Sequence, residues 1–185
     1  FSGLVIRSQI LGIRVEGQRI TVGSGERTAS ILQECRKHGL SGLEFTAGVP
    51  ASLGGAIWAN FGGYGHEIQE YVENVFILND QEEFQTLTKG ECQFSYRESI
   101  FKHKPYVVLE ATLALQSLSE EEIQKNILYV IQKRPKIFPS CGSVFRNPEE
   151  AKAGKLIEKL GLKGTKIGGA QISLDHGNYI VNTGH

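Results

Sequence analysis

The sequence contains no methionine and only three cysteines in 185 residues. Cys35, Cys92 and Cys141 are odd in number, lie far apart and lack the paired spacing of a zinc site, which argues against a disulfide framework and a metal centre. We therefore expect no metal and a reducing, cytoplasmic compartment. Methionine is missing even at position 1, where the residues resemble the inside of a strand, so we expect a piece of a longer protein.

The sequence also lacks an excess of charge. Twenty basic and twenty acidic residues cancel, so no strong field favours nucleic acid or an anionic membrane as a partner. No apolar run approaches the roughly 20 residues that cross a bilayer, and no signal-peptide pattern opens the chain. We predict a soluble globular protein without membrane or nucleic-acid partners, in which any anionic ligand needs a local basic site.

Glycine is the residue present in excess, at 22 of 185 positions, and many of these residues lie in the tract Ala47–Gly65. A glycine-rich backbone can present bare N–H groups to a diphosphate or a flat ring. A cluster of tight turns between strands is the competing interpretation, and composition alone does not separate the two.

Hydrophobic patterning predicts strands interspersed with helices. Ser119 followed by Glu122 is a capping-box sequence that begins a helix, and it suggests a domain boundary near Ser117. Because the pattern lacks a regular βαβ rhythm, we predict an α+β fold.

Strands are predicted over 3–8, 18–23, 71–80, 178–184 and 105–116, the last with partial alternation. Helices are predicted over 24–42, 117–134 and 149–164. In the first helix, Ile31, Leu32 and Cys35 would form the apolar face and Gly39 the stop, and the last helix would stop at Gly161.

The sequence VGSGERT, between a predicted strand and a predicted helix, resembles the start of a dinucleotide-binding G-x-G-x-x-G. Thr28 replaces the third glycine, and Glu44 does not end a convincing second strand. A plain β-to-α turn is therefore favoured.

The segment PSCGSVFRNP, Pro139–Pro148, contains two possible nucleophiles, Cys141 and Ser143, and two polar residues that could hold an anion, Arg146 and Asn147. A lone cysteine without a histidine partner is typically a packing residue, and we predict that for Cys141. The five histidines follow no metal-ligand or triad pattern.

Taken together, these motifs resemble the family of UDP-N-acetylenolpyruvoylglucosamine reductases, and the resemblance covers nearly the whole chain. Four segments in order carry it: GLEFTAGVPASLGGAIWANFGGYGHEI, FSYRESIF, PSCGSVFRNP and AGKLIEKLGLKGTKIGGAQISLDHGNYIVNTG.

The resemblance implies two α+β domains. Residues 1–117 resemble an FAD-binding domain of the vanillyl-alcohol-oxidase (PCMH) type, and residues 118–185 resemble a smaller substrate-binding domain. The family's upstream diphosphate loop and its C-terminal catalytic glutamate are absent from the sequence, so the resemblance implies domains that are incomplete at the outer ends.

The resemblance also implies roles for individual residues. Arg97 matches the family's active-site arginine, and Ser143 matches its proton-donor serine. Tyr96, Arg146 and Asn147 match substrate-binding positions. The FAD-binding positions would be Gly48, Val49, Pro50, Ser52, Gly54, Gly55, Ala56, Gly62, Gly63, Tyr64 and Gly65.

The implied reaction belongs to peptidoglycan synthesis. NADPH reduces FAD, reduced FAD gives hydride to UDP-N-acetylglucosamine enolpyruvate, Arg97 stabilises the resulting enolate and Ser143 donates the proton that completes UDP-N-acetylmuramate. A monomer is expected. Two alternatives stay open: another FAD oxidoreductase of the same fold, and a non-catalytic nucleotide-sugar-binding fragment.

Overall fold

The structure is a computed structural model that describes residues 2–184. The chain divides into two compact units, residues 1–134 (the N-terminal unit) and residues 135–185 (the C-terminal unit). The N-terminal unit contains β1 (Ile13–Glu16), β2 (Arg19–Gly23), α1 (Thr28–Lys37), β3 (Leu40–Ser41), α2 (Leu53–Trp58), β4 (Gly62–Gly63), β5 (His66–Glu67), β6 (Val72–Leu78), β7 (Phe84–Thr88), β8 (Val107–Ala114), β9 (Gln116–Ser117) and α3 (Glu120–Lys133), with 3₁₀ helices at Glu44–Thr46, Ile68–Glu70 and Ile100–Lys102. The C-terminal unit contains α4 (Ala153–Lys159), β10 (Lys166–Ile167), β11 (Ala170–Ile172) and β12 (Ile180–Asn182).

A five-stranded antiparallel sheet in the order β1-β2-β8-β6-β7 forms the centre of the N-terminal unit. On its middle strand, Leu113 pairs with Ile20 of β2 and with Val72 of β6. All three side chains are buried, because directly paired residues of neighbouring strands face the same side of the sheet. The partial alternation predicted for this strand is observed, with Val108, Ala111 and Leu113 buried.

Helix α1 buries Ile31, Leu32 and Cys35 and packs against β3, α3 and the 3₁₀ helix Glu44–Thr46. Gly39 follows it at φ +62°, the left-handed conformation that commonly terminates a helix. Both features match the sequence prediction for this helix.

Helix α3 begins at the predicted cap, but the predicted capping box is only half formed. The Ser119 Oγ accepts from the Glu122 N–H at 3.3 Å and donates to the Glu122 carboxylate at 2.9 Å. The carboxylate therefore bonds the hydroxyl, whereas a full box would bond the Ser119 backbone N–H.

The N-terminal unit extends past Ser117, the predicted domain boundary. Helix α3 packs against α1 and the 3₁₀ helix Glu44–Thr46, and it buries Ile123 and Val130. Because this apolar face is covered within the N-terminal unit, the compact units divide after Arg134.

The strand predicted over 3–8 is wrong. Residues 3–8 are irregular, and Leu4, Val5 and Ile6 are more than three-quarters exposed. The next residues lie along the β2–α1 turn, where the Gly25 N–H donates to the Ile10 carbonyl at 2.9 Å. Patterning alone does not supply the neighbouring strand that a strand needs for its hydrogen bonds.

In the C-terminal unit, β10, β11 and β12 form a three-stranded antiparallel sheet. Helix α4 is followed by Gly161 at φ +69°, the predicted stop. The mixture of helices with antiparallel sheets confirms the α+β prediction. Among residues 2–184, no helix combines the length and apolarity that a membrane span requires.

Candidate functional site

The glycine-rich tract begins with a loop anchored to the start of α1. Thr28 accounts for two anchors: its N–H donates to the Ala51 carbonyl at 3.0 Å and its Oγ1 donates to the Val49 carbonyl at 2.8 Å. Ser52 then caps α2, since its Oγ accepts from the Gly55 N–H at 3.3 Å. Gly48, Pro50 and Gly55 are exposed, so a rigid strip of backbone with little side-chain cover faces outward.

Two predicted cofactor-binding glycines meet different surroundings. A Cβ added to Gly62 would lie 2.7 Å from Arg97 Nη1, Glu67 Cγ and the His66 carbonyl oxygen. Gly65, at φ +89°, has open space at the same position. Gly62 is therefore required for internal packing, whereas Gly65 leaves room for a neighbouring molecule.

Arg97 lies in a tight turn that fixes its direction. Ser95 and Glu98 exchange backbone hydrogen bonds of 2.9 and 3.1 Å across this turn, and Arg97 itself has φ +57°. Lys102 Nζ donates to the Arg97 carbonyl at 2.6 Å. The Arg97 Cζ lies 5.0 Å from the centre of the Tyr96 ring, within cation–π range.

The guanidinium of Arg97 is held against the glycine-rich tract. Its Nη2 donates to the Gly62 carbonyl at 2.5 Å, and its Nη1 donates to Glu67 Oε1 at 3.1 Å. The Arg97 side chain is 31% exposed. The structure thus brings two residues together that the sequence proposed separately, Arg97 and Gly62, and it adds Glu67, which sequence reasoning missed.

In the C-terminal unit, Ser143 and Asn147 line one polar cavity of about 310 Å³. Lys152, Lys155 and His176 lie on the same cavity. The Asn147 Oδ1 also accepts from the Ala153 N–H at 3.0 Å, at the start of α4. This contact with the first N–H of α4 is a structural role that the sequence did not predict for Asn147.

Asn178 attaches the Ser143 segment to the neighbouring turn. Its side chain is buried, its Oδ1 accepts from the Phe145 N–H at 2.9 Å and its Nδ2 donates to the Phe145 carbonyl at 2.8 Å. The Val144 N–H donates to the Asn178 carbonyl at 2.9 Å, and Ser143 forms a bridge with Tyr179. Sequence reasoning missed Asn178, because an asparagine beside an apolar run indicates only a strand end.

The packing role predicted for Cys141 is wrong, because this residue is exposed. Cys35 and Cys92 are the buried cysteines, and burial raises the pKa of each thiol to about 12. The segment around Cys141 is a surface loop of the C-terminal unit, where a cysteine has no core to fill.

An aromatic cavity of about 340 Å³ in the N-terminal unit was also missed. Phe45, Tyr64, Tyr71 and Tyr129 line it, and burial, with a further contribution from the Glu70 carboxylate, raises the pKa of Tyr71 to about 12. The aromatic residues that line this cavity are distant in sequence and share no motif.

The predicted site residues belong to different units. The cofactor-binding glycines, Tyr96 and Arg97 belong to the N-terminal unit, and Ser143, Arg146 and Asn147 belong to the C-terminal unit. Within each unit the structure clusters part of the predicted set, around Gly62 in the first and around the polar cavity in the second.

Two family models match the chain. A model described as an FAD binding domain matches residues 1–88. A model described as the C-terminal domain of UDP-N-acetylenolpyruvoylglucosamine reductase matches residues 132–185. Together they confirm the predicted fold, an FAD-binding domain followed by the C-terminal domain of these reductases.

Curated relatives and a solved structure point to the same family. The UDP-N-acetylenolpyruvoylglucosamine reductase of Bacillus subtilis is 44% identical over 93% of this chain and 58% of its own. That of Caldanaerobacter subterraneus is 40% identical over 99% of this chain and 62% of its own. The crystal structure of UDP-N-acetylenolpyruvylglucosamine reductase from Thermus caldophilus matches with a TM-score of 0.81 and 38% identity, over 89% of this chain and 62% of that one. The chain therefore spans about three fifths of the length of the relatives it matches.

Proposed function

The chain belongs to the family of UDP-N-acetylenolpyruvoylglucosamine reductases, and from this premise we propose that the protein reduces UDP-N-acetylglucosamine enolpyruvate to UDP-N-acetylmuramate, with FAD as bound cofactor and NADPH as reductant. The observation that carries the proposal is the guanidinium of Arg97, fixed against the glycine-rich tract by Gly62 and Glu67. The reaction would belong to the cytoplasmic stage of peptidoglycan synthesis, and we propose that the protein acts as a monomer.

The glycine-rich tract fits FAD. The loop from Gly48 to Ser52 is anchored by Thr28 and leaves Gly48 and Pro50 exposed, and Gly65 has open space where a side chain would stand. A dinucleotide needs this combination of rigid backbone and close approach. We propose that these residues, with the remaining glycines of the tract, hold FAD, which supplies the hydride when bound.

Arg97 suits the charge that develops on the substrate. Hydride addition to the vinyl carbon leaves negative charge on the neighbouring carbon and its carboxylate. A guanidinium keeps its positive charge at neutral pH and matches a carboxylate with two parallel N–H groups. A guanidinium carries five N–H donors, so it can contact several groups at once.

Ser143 is proposed as the group that protonates the substrate carbon. It lies in a loop attached through Phe145 to the buried Asn178, so its direction is constrained. An enolate carbon accepts a proton even from a weak acid, and position therefore matters more than a matched pKa. Lys152, Lys155 and Asn147, on the same cavity, are proposed to hold the polar part of the nucleotide sugar, with Tyr96 and Arg146 as further contacts.

The proposal is tested with the purified protein. We expect a yellow protein that oxidises NADPH only when UDP-N-acetylglucosamine enolpyruvate is present. The fall in absorbance at the nicotinamide band measures this oxidation. Turnover of a different substrate by a yellow protein would favour another FAD oxidoreductase. Nucleotide-sugar binding by a colourless protein, measured by calorimetry, would favour a non-catalytic module.

A further inference from the structure

The carboxylate of Glu67 is bound by donors from three side chains. Its Oε1 accepts from Arg97 Nη1 at 3.1 Å, and its Oε2 accepts from Asn60 Nδ2 at 2.9 Å and from Gln69 Nε2 at 2.7 Å. Glu67 also caps the 3₁₀ helix that follows it, in a complete capping box with Glu70. The side chain is 21% exposed. Such a group is fixed from several directions and can itself fix a partner.

Asn60 makes this arrangement rigid. It is fully buried, its Oδ1 accepts from the Gln69 N–H at 3.2 Å and its Nδ2 also donates to the Ser95 carbonyl at 2.7 Å. A backbone N–H can only donate and a carbonyl can only accept, so the amide of Asn60 has one permitted orientation. The orientation presents its N–H to Glu67 and ties Glu67 to the turn that carries Arg97.

Gly62 closes the other side of the guanidinium. Its carbonyl accepts from Arg97 Nη2, and any Cβ at Gly62 would collide with Arg97 Nη1 and with Glu67 Cγ. The arginine is thus confined between a carboxylate and a backbone surface that has no side chain.

We propose that Glu67 is the positioning residue for Arg97, holding its guanidinium ready for a substrate carboxylate through the bridge Asn60–Glu67–Arg97. This role rests on the proposed function. A partly exposed arginine has many rotamers, and restricting them before the substrate arrives removes an ordering cost from the catalytic step. Glu67 acts on the reaction only through Arg97.

The substitution Glu67→Gln tests this role with little change of shape. Two oxygens of a carboxylate accept from donors on both sides, whereas a carboxamide has one acceptor and must turn its NH₂ toward Arg97 or toward Asn60 and Gln69. We expect kcat for substrate reduction to fall by about 10- to 100-fold, as misplacement of a catalytic group does, while reduction of FAD by NADPH changes less than about twofold. Stopped-flow measurement separates the two half-reactions.

A double-mutant cycle distinguishes positioning from general stability. In the Arg97→Lys background, the guanidinium that Glu67 holds is already lost. Adding Glu67→Gln should therefore lower kcat further by less than about twofold. Additive losses would overturn the proposal. Glu67→Asp keeps the negative charge on a side chain that is shorter by one methylene, and it should give an intermediate kcat. If Glu67→Gln does not fold, Glu67→Asp takes its place in the cycle. The matched control is Glu73→Gln, which removes the exposed ion pair with Arg19 and should leave kcat unchanged.

A readout without turnover keeps this proposal separate from the proposed function. In arginine-¹⁵N spectra, hindered rotation should give separately resolved Nη signals for Arg97, assigned by their loss in Arg97→Lys, and Glu67→Gln should average them. Averaged signals in the unsubstituted protein, or unchanged signals in Glu67→Gln, would overturn the positioning role. Resolved signals in a protein without reductase activity would overturn the proposed function and leave the Glu67–Arg97 arrangement standing.

Discussion

Three non-glycine residues around the glycine-rich tract have positive φ: Asn60 at 40°, Tyr64 at 56° and Arg97 at 57°. Each such backbone costs of the order of 1 kcal/mol or more, and it persists only where the surroundings impose it. Asn60 and Arg97 are held by the Glu67 network, and the Tyr64 ring lies 5.4 Å from the Arg134 guanidinium. Glu82 and Gln93 have positive φ as well. At Tyr64 and Arg97 the strained backbone accompanies the roles proposed for these residues.

At the residue scale, Ser143→Ala separates the two half-reactions of the proposed mechanism. Removal of the hydroxyl should slow substrate reduction by ~10²–10⁴-fold, the usual contribution of a positioned proton donor, and leave FAD reduction by NADPH nearly intact. The measurement is stopped-flow absorbance of each half-reaction.

Cys141→Ser is the matched control for Ser143→Ala. It alters an exposed side chain on the same loop and should change neither half-reaction. Equal slowing of both half-reactions in Ser143→Ala would contradict the assignment of Ser143 as proton donor.

At the element scale, the side chain of Asn178 makes the backbone hydrogen bonds that a residue of a neighbouring strand would make. The amide of Asn178 donates to and accepts from the backbone of Phe145, which is the pattern of two paired β residues. Together with the Ser143–Tyr179 bridge, these hydrogen bonds attach the loop that carries Ser143 to the turn that carries Asn178. The direction of Ser143 thus depends on a buried residue that is distant in sequence.

Asn178→Ala should release this attachment. Loss of a hydrogen bond worth about 1 kcal/mol corresponds to an increase of about fivefold to tenfold in amide exchange at Phe145, with no change in α4. Hydrogen exchange followed by mass spectrometry measures it. Asn182→Ala is the control, because the Asn182 side chain accepts from the exposed Gly184 N–H. Equal exchange at Phe145 in all three proteins would show that Asn178 does not hold the loop.

At the scale of the whole molecule, stability of the N-terminal unit depends on the middle of its sheet. Leu113 is fully buried between β2 and β6, whereas Val107, on the same strand, is half exposed. Truncating the side chain to alanine should therefore lower the free energy of unfolding more at Leu113 than at Val107.

Leu113→Ala should lower the free energy of unfolding by about 2–5 kcal/mol, the cost of an unfilled cavity. Val107→Ala should change it by less than about 0.5 kcal/mol. Denaturant unfolding followed by fluorescence of Trp58, the single tryptophan, reports on the N-terminal unit. Similar midpoints for both variants would contradict this placement of the core.

Several local elements and the family could be predicted from residue order alone. The apolar spacing of Ile31, Leu32 and Cys35, the stops at Gly39 and Gly161, and the alternation of β8 act within a few residues, and they match the structure. The four ordered motifs identified the reductase family, because residue type and spacing are properties of the chain itself.

The folded structure settles which residues meet. Asn60, Glu67 and Arg97 form one network although up to 37 positions separate them, and Asn178 reaches Phe145 across 33 positions. It also decided that Cys141 is exposed, that residues 3–8 form no strand and that α3 belongs to the N-terminal unit. Each of these outcomes depends on burial and on a partner brought near by folding, and neither is encoded in the spacing of nearby residues.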